Sequence, residues 1–546
     1  MHRVDRRPQR TERRNSLVQM QKVSTVIPSG LRFAFAAVLV AGVVSGAAGQ
    51  TGSTVTVNAG DNLQAALDAA QPGQTLLLPA GATFTGNFVL PKKAETSTSY
   101  ITIRTATADA RLPADDERIA LADEALLPTL HSANSLPAVR TAPGAHHWRL
   151  FGVRVTGGGT GDVIDLGDGV QTDRALVPSD LVIDRVVVRG DAAKGQKRGI
   201  ALNSANTWVR NSYITGIKLA GQETQAIAGW NGPGPFVVEN NYIEAGSIGI
   251  LFGGAEPTID HLTPTDIVVR HNHVTRPLDL RTGSWVIKNL LELKHASNVQ
   301  ISGNIFENNW SGAQSGFAIV FTVRANGTHA PWTVVEHVRF ENNVVRHSGS
   351  AVNILGYDDT APSQQAHDIL IRNNVFSDID HRTWGGSGIF LQIGDEPADL
   401  HVEHNTVIQS GNIISVYGGT AAAPRPVTGF RFASNIVMHN TYGIFGNQVG
   451  MGNPAIAAYF PQSVIVGNVM AGGPSQSYPS GNVFPSVTDL MGQFRSPSTG
   501  DYSLIDTSPL RTLAAGEAGT EFGELQRATV VLPRSPKNVH STSPIP

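Results

Sequence analysis

Residues 338–376 read VRFENNVVRHSGSAVNILGYDDTAPSQQAHDILIRNNVF. In this stretch an apolar run meets Asn342-Asn343, continues into two valines and passes a second apolar run at 351–356 (AVNILG). The same pattern returns 31 residues later at Asn373-Asn374. It extends in both directions. Upstream it reads VRNSYI at Asn211, VENNYI at Asn241, VRHNHV at Asn272 and ISGNIF at Asn304. Downstream it reads VEHNTV at Asn405, FASNIV at Asn435 and IVGNVM at Asn468. The successive intervals are 30, 31, 32, 39, 31, 31, 30 and 33 residues. IDRVVV at Asp184 and RLFGVRV at Gly152 are degenerate earlier copies. A fixed period of this size marks a unit that cannot bury its apolar face alone and must stack on its neighbours.

Each repeat holds a further strand-like run, such as GIALN (199–203), NLLELK (289–294), FAIVFTVR (317–324) and GIFLQIG (388–394). Three short strands per repeat imply a coil that pairs with the next through parallel ladders, about 4.8 Å apart. The expected fold is all-β: a right-handed parallel β-helix, a solenoid of three strands per coil and about ten or more coils. The recurrent Asn suits the sharp corner between the first two strands, because Asn tolerates the left-handed conformation. Stacked there, its side chain can hydrogen-bond along the column. At the front, DNLQAALDAAQPG (61–73) places Leu63, Ala66, Leu67 and Ala70 on one helical face, with Asp61 as N-cap and Gly73 past the end. An N-terminal capping helix is expected there.

The composition agrees. The chain has 546 residues, 41% hydrophobic, 57 of them glycine, with only 16% charged and a net charge of −3. No basic stripe marks a nucleic-acid binder. There is no cysteine, which removes disulfides, thiolate metal sites and a thiol nucleophile. A basic N-terminal region (Arg3, Arg6, Arg7, Arg10, Arg13, Arg14, Lys22, Arg32) precedes 12 apolar residues, Phe33 to Val44, and then small residues to Gly49. Twelve residues are short for a bilayer core of about 30 Å, so residues 1–49 read as a cleaved export signal. The expected organisation is signal 1–49, β-helix 50–512 and a partly disordered tail 513–546. The product would be a secreted or periplasmic monomer without a stable membrane anchor.

The entry run NAGDNLQAALDAAQPGQTLLLPAG and the asparagine-corner repeats resemble the pectin lyase-like β-helix superfamily, over about residues 54–512. That resemblance implies a polysaccharide partner. It does not choose an activity, because lyases, hydrolases and non-catalytic fibres share the scaffold.

In that superfamily the binding face lies on the second strand-like run and its loops. On that run Glu292 and Lys294 share one strand face, opposite Leu291 and Leu293. Arg324 lies 30 residues after Lys294, one coil further on. Removing the proton α to a uronate carboxyl needs a base and a cation that stabilises the developing charge. ELKHASNVQISGNIF followed by Arg324 resembles polysaccharide lyases of the chondroitinase B and alginate lyase type. By that resemblance Lys294 is the base, Arg324 its partner and Glu292 a possible Ca²⁺ ligand. Here Ala325-Asn326 follows the arginine, where that family has His-Gly. The read-out is β-elimination of an acidic polysaccharide.

A second constellation is Asp358, Asp359, Asp395 and Glu396, from successive coils. Paired carboxylates suit glycoside hydrolysis, and with Glu292 they are also candidate Ca²⁺ ligands. Asn353, Tyr357, Gln392 and Trp230 are candidate sugar contacts, aromatics because a sugar ring has an apolar C–H face. The alternatives to a lyase are therefore a hydrolase acting through Asp358, Asp359 and Asp395, and a non-catalytic glycan-binding or adhesion protein. A solvated charge ladder is the bland reading of both clusters.

Overall fold

The computed structural model describes residues 52–95, 97–513 and 516–529. The expected export signal and the last part of the tail lie outside the described residues. Three long sheets of 14, 13 and 13 strands run side by side, and successive members of each are one coil apart in sequence. The first sheet, from Thr54–Thr56 to Val464–Val466, precedes the asparagine corner; the second, from Thr83–Thr85 to Val469–Ala471, follows it. The third begins at Phe88–Leu90 and carries the second apolar run of each repeat. The coil-to-coil pairings are parallel, apart from a closing antiparallel hairpin between Ile444–Gly446 and Gly450–Met451. Parallel strands joined within one sheet wind right-handed, so the chain is a right-handed parallel β-helix.

The interior is one continuous apolar column. Its middle is aromatic: Phe306, Phe340 and Phe376 are fully buried, and successive rings lie 6.1 and 6.3 Å apart. The repeat places a large side chain at equivalent positions in successive coils, so the rings stack.

The corner shows a division of labour that differs from the simple expectation. The left-handed residue is the one before the ladder asparagine: Asn240, His271, Gly303, Asn342, Asn373 and His404 all have φ between +51° and +66°. The following asparagine turns inward and is buried. Asn343 Oδ1, for example, accepts from both the backbone N–H and Nδ2 of Asn304, at 3.0 and 2.9 Å. The same pattern runs to Asn482. Asn211 is out of step: it is itself left-handed (φ 53°), and Ser212 takes the ladder position below Asn241.

The N-terminal helix forms over Leu63–Ala69, with Leu63 and Leu67 buried in the core. Its cap is Asn62, whose Oδ1 accepts from Ala65 N, rather than Asp61. Asp61 instead accepts from Asn58 N at 2.7 Å and closes the preceding turn. The tail expected from residue 513 onward is ordered in its first part. Thr520 exchanges hydrogen bonds with Thr406, and Glu521 N donates to Asn373 Oδ1. The helix Phe522–Thr529 then lies on the corner, with Glu524 accepting from Asn342.

Candidate functional site

The strand Leu291–Leu293 sits in the third sheet between Ile248–Phe252 and Phe317–Thr322. Leu291 and Leu293 point into the core, so Glu292 faces out, in register with Leu251 on one side and Val320 on the other. The outward row continues through Asn353, Gln392 and Ser415. Glu292 is nevertheless only 1% exposed. The segment that returns to the strand carries Lys288 across it. That segment is held by the fully buried Arg276, which donates to the carbonyls of Gly246 and Ser247.

The resulting charge cluster is compact. Lys294 Nζ is 3.4 Å from Glu292 Oε1, and Lys288 Nζ is 3.9 Å from Glu292 Oε2. Lys288 also donates to Glu223 at 2.7 Å. Burial alone would push the Glu223 carboxyl up. The hydrogen bond and charge of Lys288, the Gln225 amide and the charge of Lys294 bring it below its ordinary value.

Arg324 follows directly. Its backbone N–H donates to the Lys294 carbonyl at 3.1 Å, so the two expected partners are neighbours on adjacent coils. The Arg324 guanidinium donates to Asp358 at 3.1 Å and also binds Asp359. Burial works to raise the Asp358 carboxyl, but the N–H and hydroxyl of Thr360, the N–H of Ala325 and the guanidinium hold it below the usual range. Asp358 is thus a structural clamp, whereas the Asp359 side chain is 54% exposed. Asp395 pairs instead with Arg425. The main chain of Glu396 accepts from Gln365. Gln392 donates to Asn353 at 3.2 Å, which makes those two expected contacts one unit; Tyr357 immediately precedes the clamp.

The structure separates Trp230 from this group. Its indole N–H donates to Gly169 O, Arg198 stacks 4.7 Å above its ring, and it lines an open cleft of about 670 Å³ with Asp162, Asp165, Glu223, Gln225 and Glu256. This cleft lies on earlier coils of the same sheet and opens beside the Glu223–Lys288 pair. Burial first, then the charges of Asp162 and Asp168, pushes the Asp165 carboxyl up to about 7 against the pull of Arg198 and Arg140.

The four carboxylates considered for Ca²⁺ do not fit one ion. Glu292 lies between two lysines, Asp358 and Asp359 share one guanidinium, and Asp395 has its own arginine. The Lys288 ammonium stands 2.7 Å from Glu223 and 3.9 Å from Glu292, whose Oε2 accepts no hydrogen bond.

Sequence reading missed Glu223, Lys288, Asp165 and Tyr417. Asp165 was within reach: Ile164 and Leu166 are core residues, so alternation puts it outside. Tyr417 was not. It folds over Gly394, where an added Cβ would meet its Cζ at 2.3 Å. Burial and the charges of Asp395 and Asp359 push its phenol up, against Arg324.

No protein-family profile matches this chain, and no curated protein does. Solved structures do. The chain is similar to the PL6-family alginate lyase AlyGC, at 16% identity and TM-score 0.55, over 89% of this chain and 59% of that one. It therefore spans well under two thirds of that enzyme's length. It is also similar to a mannuronic acid specific polysaccharide family 6 lyase from human gut microbiota (12% identity, TM-score 0.49, 87% and 98% coverage). A third likeness is PfbA, a surface adhesin of Streptococcus pneumoniae (12%, 0.36, 71% and 87%). The first of these bears out the fold, the parallel β-helix that the repeats implied.

Proposed function

We propose that this chain is an exported, carbohydrate-active β-helix that cleaves an acidic polysaccharide by β-elimination. The observation that carries this reading is the juxtaposition of Lys294 and Arg324 on adjacent coils of one outward face. A uronate carboxylate would enter by displacing the exposed Asp359 from Arg324, an exchange of one carboxylate for another at the same guanidinium. Lys294, after its ammonium has released a proton to solvent, would then take the proton α to that carboxyl as a neutral amine. The C–H electron pair forms the new carbon–carbon double bond, and the glycosidic oxygen at the β carbon leaves with its bonding pair and takes the proton back from the Lys294 ammonium just formed. Arg324 stabilises the charge that develops on the carboxylate. The name of the similar alginate lyase agrees with this substrate class. Export rests on the apolar run after a basic leader; among the described residues no helix is long and apolar enough to cross a membrane.

Hydrolysis is the second reading, and Asp165 favours it. A carboxyl titrating at about 7 in a cleft shared with a tryptophan and the depressed Glu223 has the character of a general acid beside a base. The experiment is a screen of acidic polysaccharides read by the ultraviolet band of unsaturated uronates and, in parallel, by new reducing ends. Absorbance supports elimination. Reducing ends without absorbance replace it with hydrolysis. Glycan binding with neither signal leaves an adhesion protein and overturns both.

A further inference from the structure

We propose that Glu336, His337 and His367, on the outside of the first sheet, form a binding site for a divalent transition-metal ion, zinc by preference. Among the described residues this is the one set of three such side chains whose ligand atoms all lie within 4.8 Å of one another. It is remote in the fold from the Lys294–Arg324 face, which is on the third sheet.

The backbone builds it. Val335 and Val338 are buried in the core, so the two residues between them must both face out. A regular strand would send Glu336 and His337 to opposite faces; the left-handed conformation of His337 (φ 53°) breaks that alternation. The parallel ladder then sets Glu336 directly opposite His367 of the next coil.

Each side chain has its other polar atom already tied down. Glu336 Oε1 accepts from the Ser297 hydroxyl at 2.8 Å, which leaves Oε2. His337 Nδ1 is 2.8 Å from Asp368 Oδ2, and His367 Nδ1 is 3.0 Å from the carbonyl of Gln365. Both acceptors place the ring proton on Nδ1 and leave the lone pair on Nε2. A carboxylate or carbonyl behind an imidazole is the arrangement that orients metal-bound histidines and raises their basicity. Glu336 Oε2 and His367 Nε2 face each other at 3.5 Å with no hydrogen bond between them. Two imidazoles and one carboxylate suit zinc, and three protein ligands leave a coordination position open to solvent. The bound ion would bridge two coils.

The full chain, freed of metal and titrated with zinc chloride in a calorimeter, tests this. One ion per chain is expected, with binding abolished in His337→Ala and in His367→Ala. Asp368→Asn, which removes only the orienting carboxylate, should weaken binding by about 10–100-fold. His401→Ala, an exposed histidine one coil further on, should bind as the parent does. Cobalt substitution should give the visible absorption of a four-coordinate site. No stoichiometric binding by the parent chain, or retention of binding in both single-histidine variants, overturns the site. Neither result depends on the polysaccharide activity.

Discussion

The backbone N–H of Arg324 donates to the carbonyl of Lys294 at 3.1 Å, so two basic residues 30 apart in the chain are immediate neighbours on adjacent coils. Their side chains are held in different ways: Lys294 by the buried Glu292 of its own strand, Arg324 by the Asp358 and Asp359 of the next coil. The two side chains are thus anchored by carboxylates from different coils.

Lys294→Ala should lower kcat on a cleaved polyuronate by about 10²–10⁴-fold, the contribution of a positioned base. Arg324→Ala should do the same and also raise KM. Asp359→Asn should chiefly alter KM, because in the proposed reading a substrate carboxylate takes the place of Asp359 on Arg324. Steady-state rates from the ultraviolet band check all three. A Lys294→Ala protein with the parent rate would remove the proposed base.

Chelation should leave activity intact, because Lys288 supplies the charge between Glu223 and Glu292. Rates with and without EDTA test this directly. Lys288→Met should also destabilise the fold by about 1–3 kcal/mol, less than a fully buried broken pair, because the Glu223 side chain is 37% exposed. Pairing it with Glu223→Gln should recover part of the loss in urea unfolding.

Asn374→Ala should cost about 1–3 kcal/mol, since it takes from the interior the acceptor of the Asn343 N–H and the side-chain donor to the Phe340 carbonyl. Asn374→Ser should recover part of this, because Ser212 fills the equivalent place one end up the ladder. The urea midpoint is the measurement.

Asp165 makes stability depend on pH. Its carboxyl holds its proton to about 7 in the fold, against 3.8 for the free side chain. Between these values the folded chain binds the extra proton, so stability falls as pH rises from about 4 to about 7 and stays lower above. Asp165→Asn should therefore raise the unfolding temperature at pH 8 and change it little at pH 4. Equal effects at both would show that the side chain acts through packing alone.

Much of the fold was legible because each coil repeats the same local demand. The run before Asn343, the pair after it and the AVNILG run are each short, apolar and alternating, and the interval of about one coil recurs from Asn211 to Asn468. The ladder hydrogen bonds were legible for the same reason. The left-handed position was misplaced by one residue, because Asn342-Asn343 offers two asparagines and only the packing tells which one turns inward. In the site, Glu292, Lys294 and Arg324 could be aligned by parity and period. Glu223 and Lys288 could not, since they reach Glu292 from connecting segments whose path no periodicity describes.

The sequence by itself determined a stacked three-strand coil, since burial of alternate apolar residues at a constant period has one economical solution. Only the tertiary structure decided which charges meet. Glu336 faces His367, Lys288 covers Glu292 and Tyr417 lies over Gly394 because parallel pairing between coils and the course of the variable loops bring together residues far apart in the chain. Those distances and burials set the chemistry, and they are properties of neighbouring coils taken together.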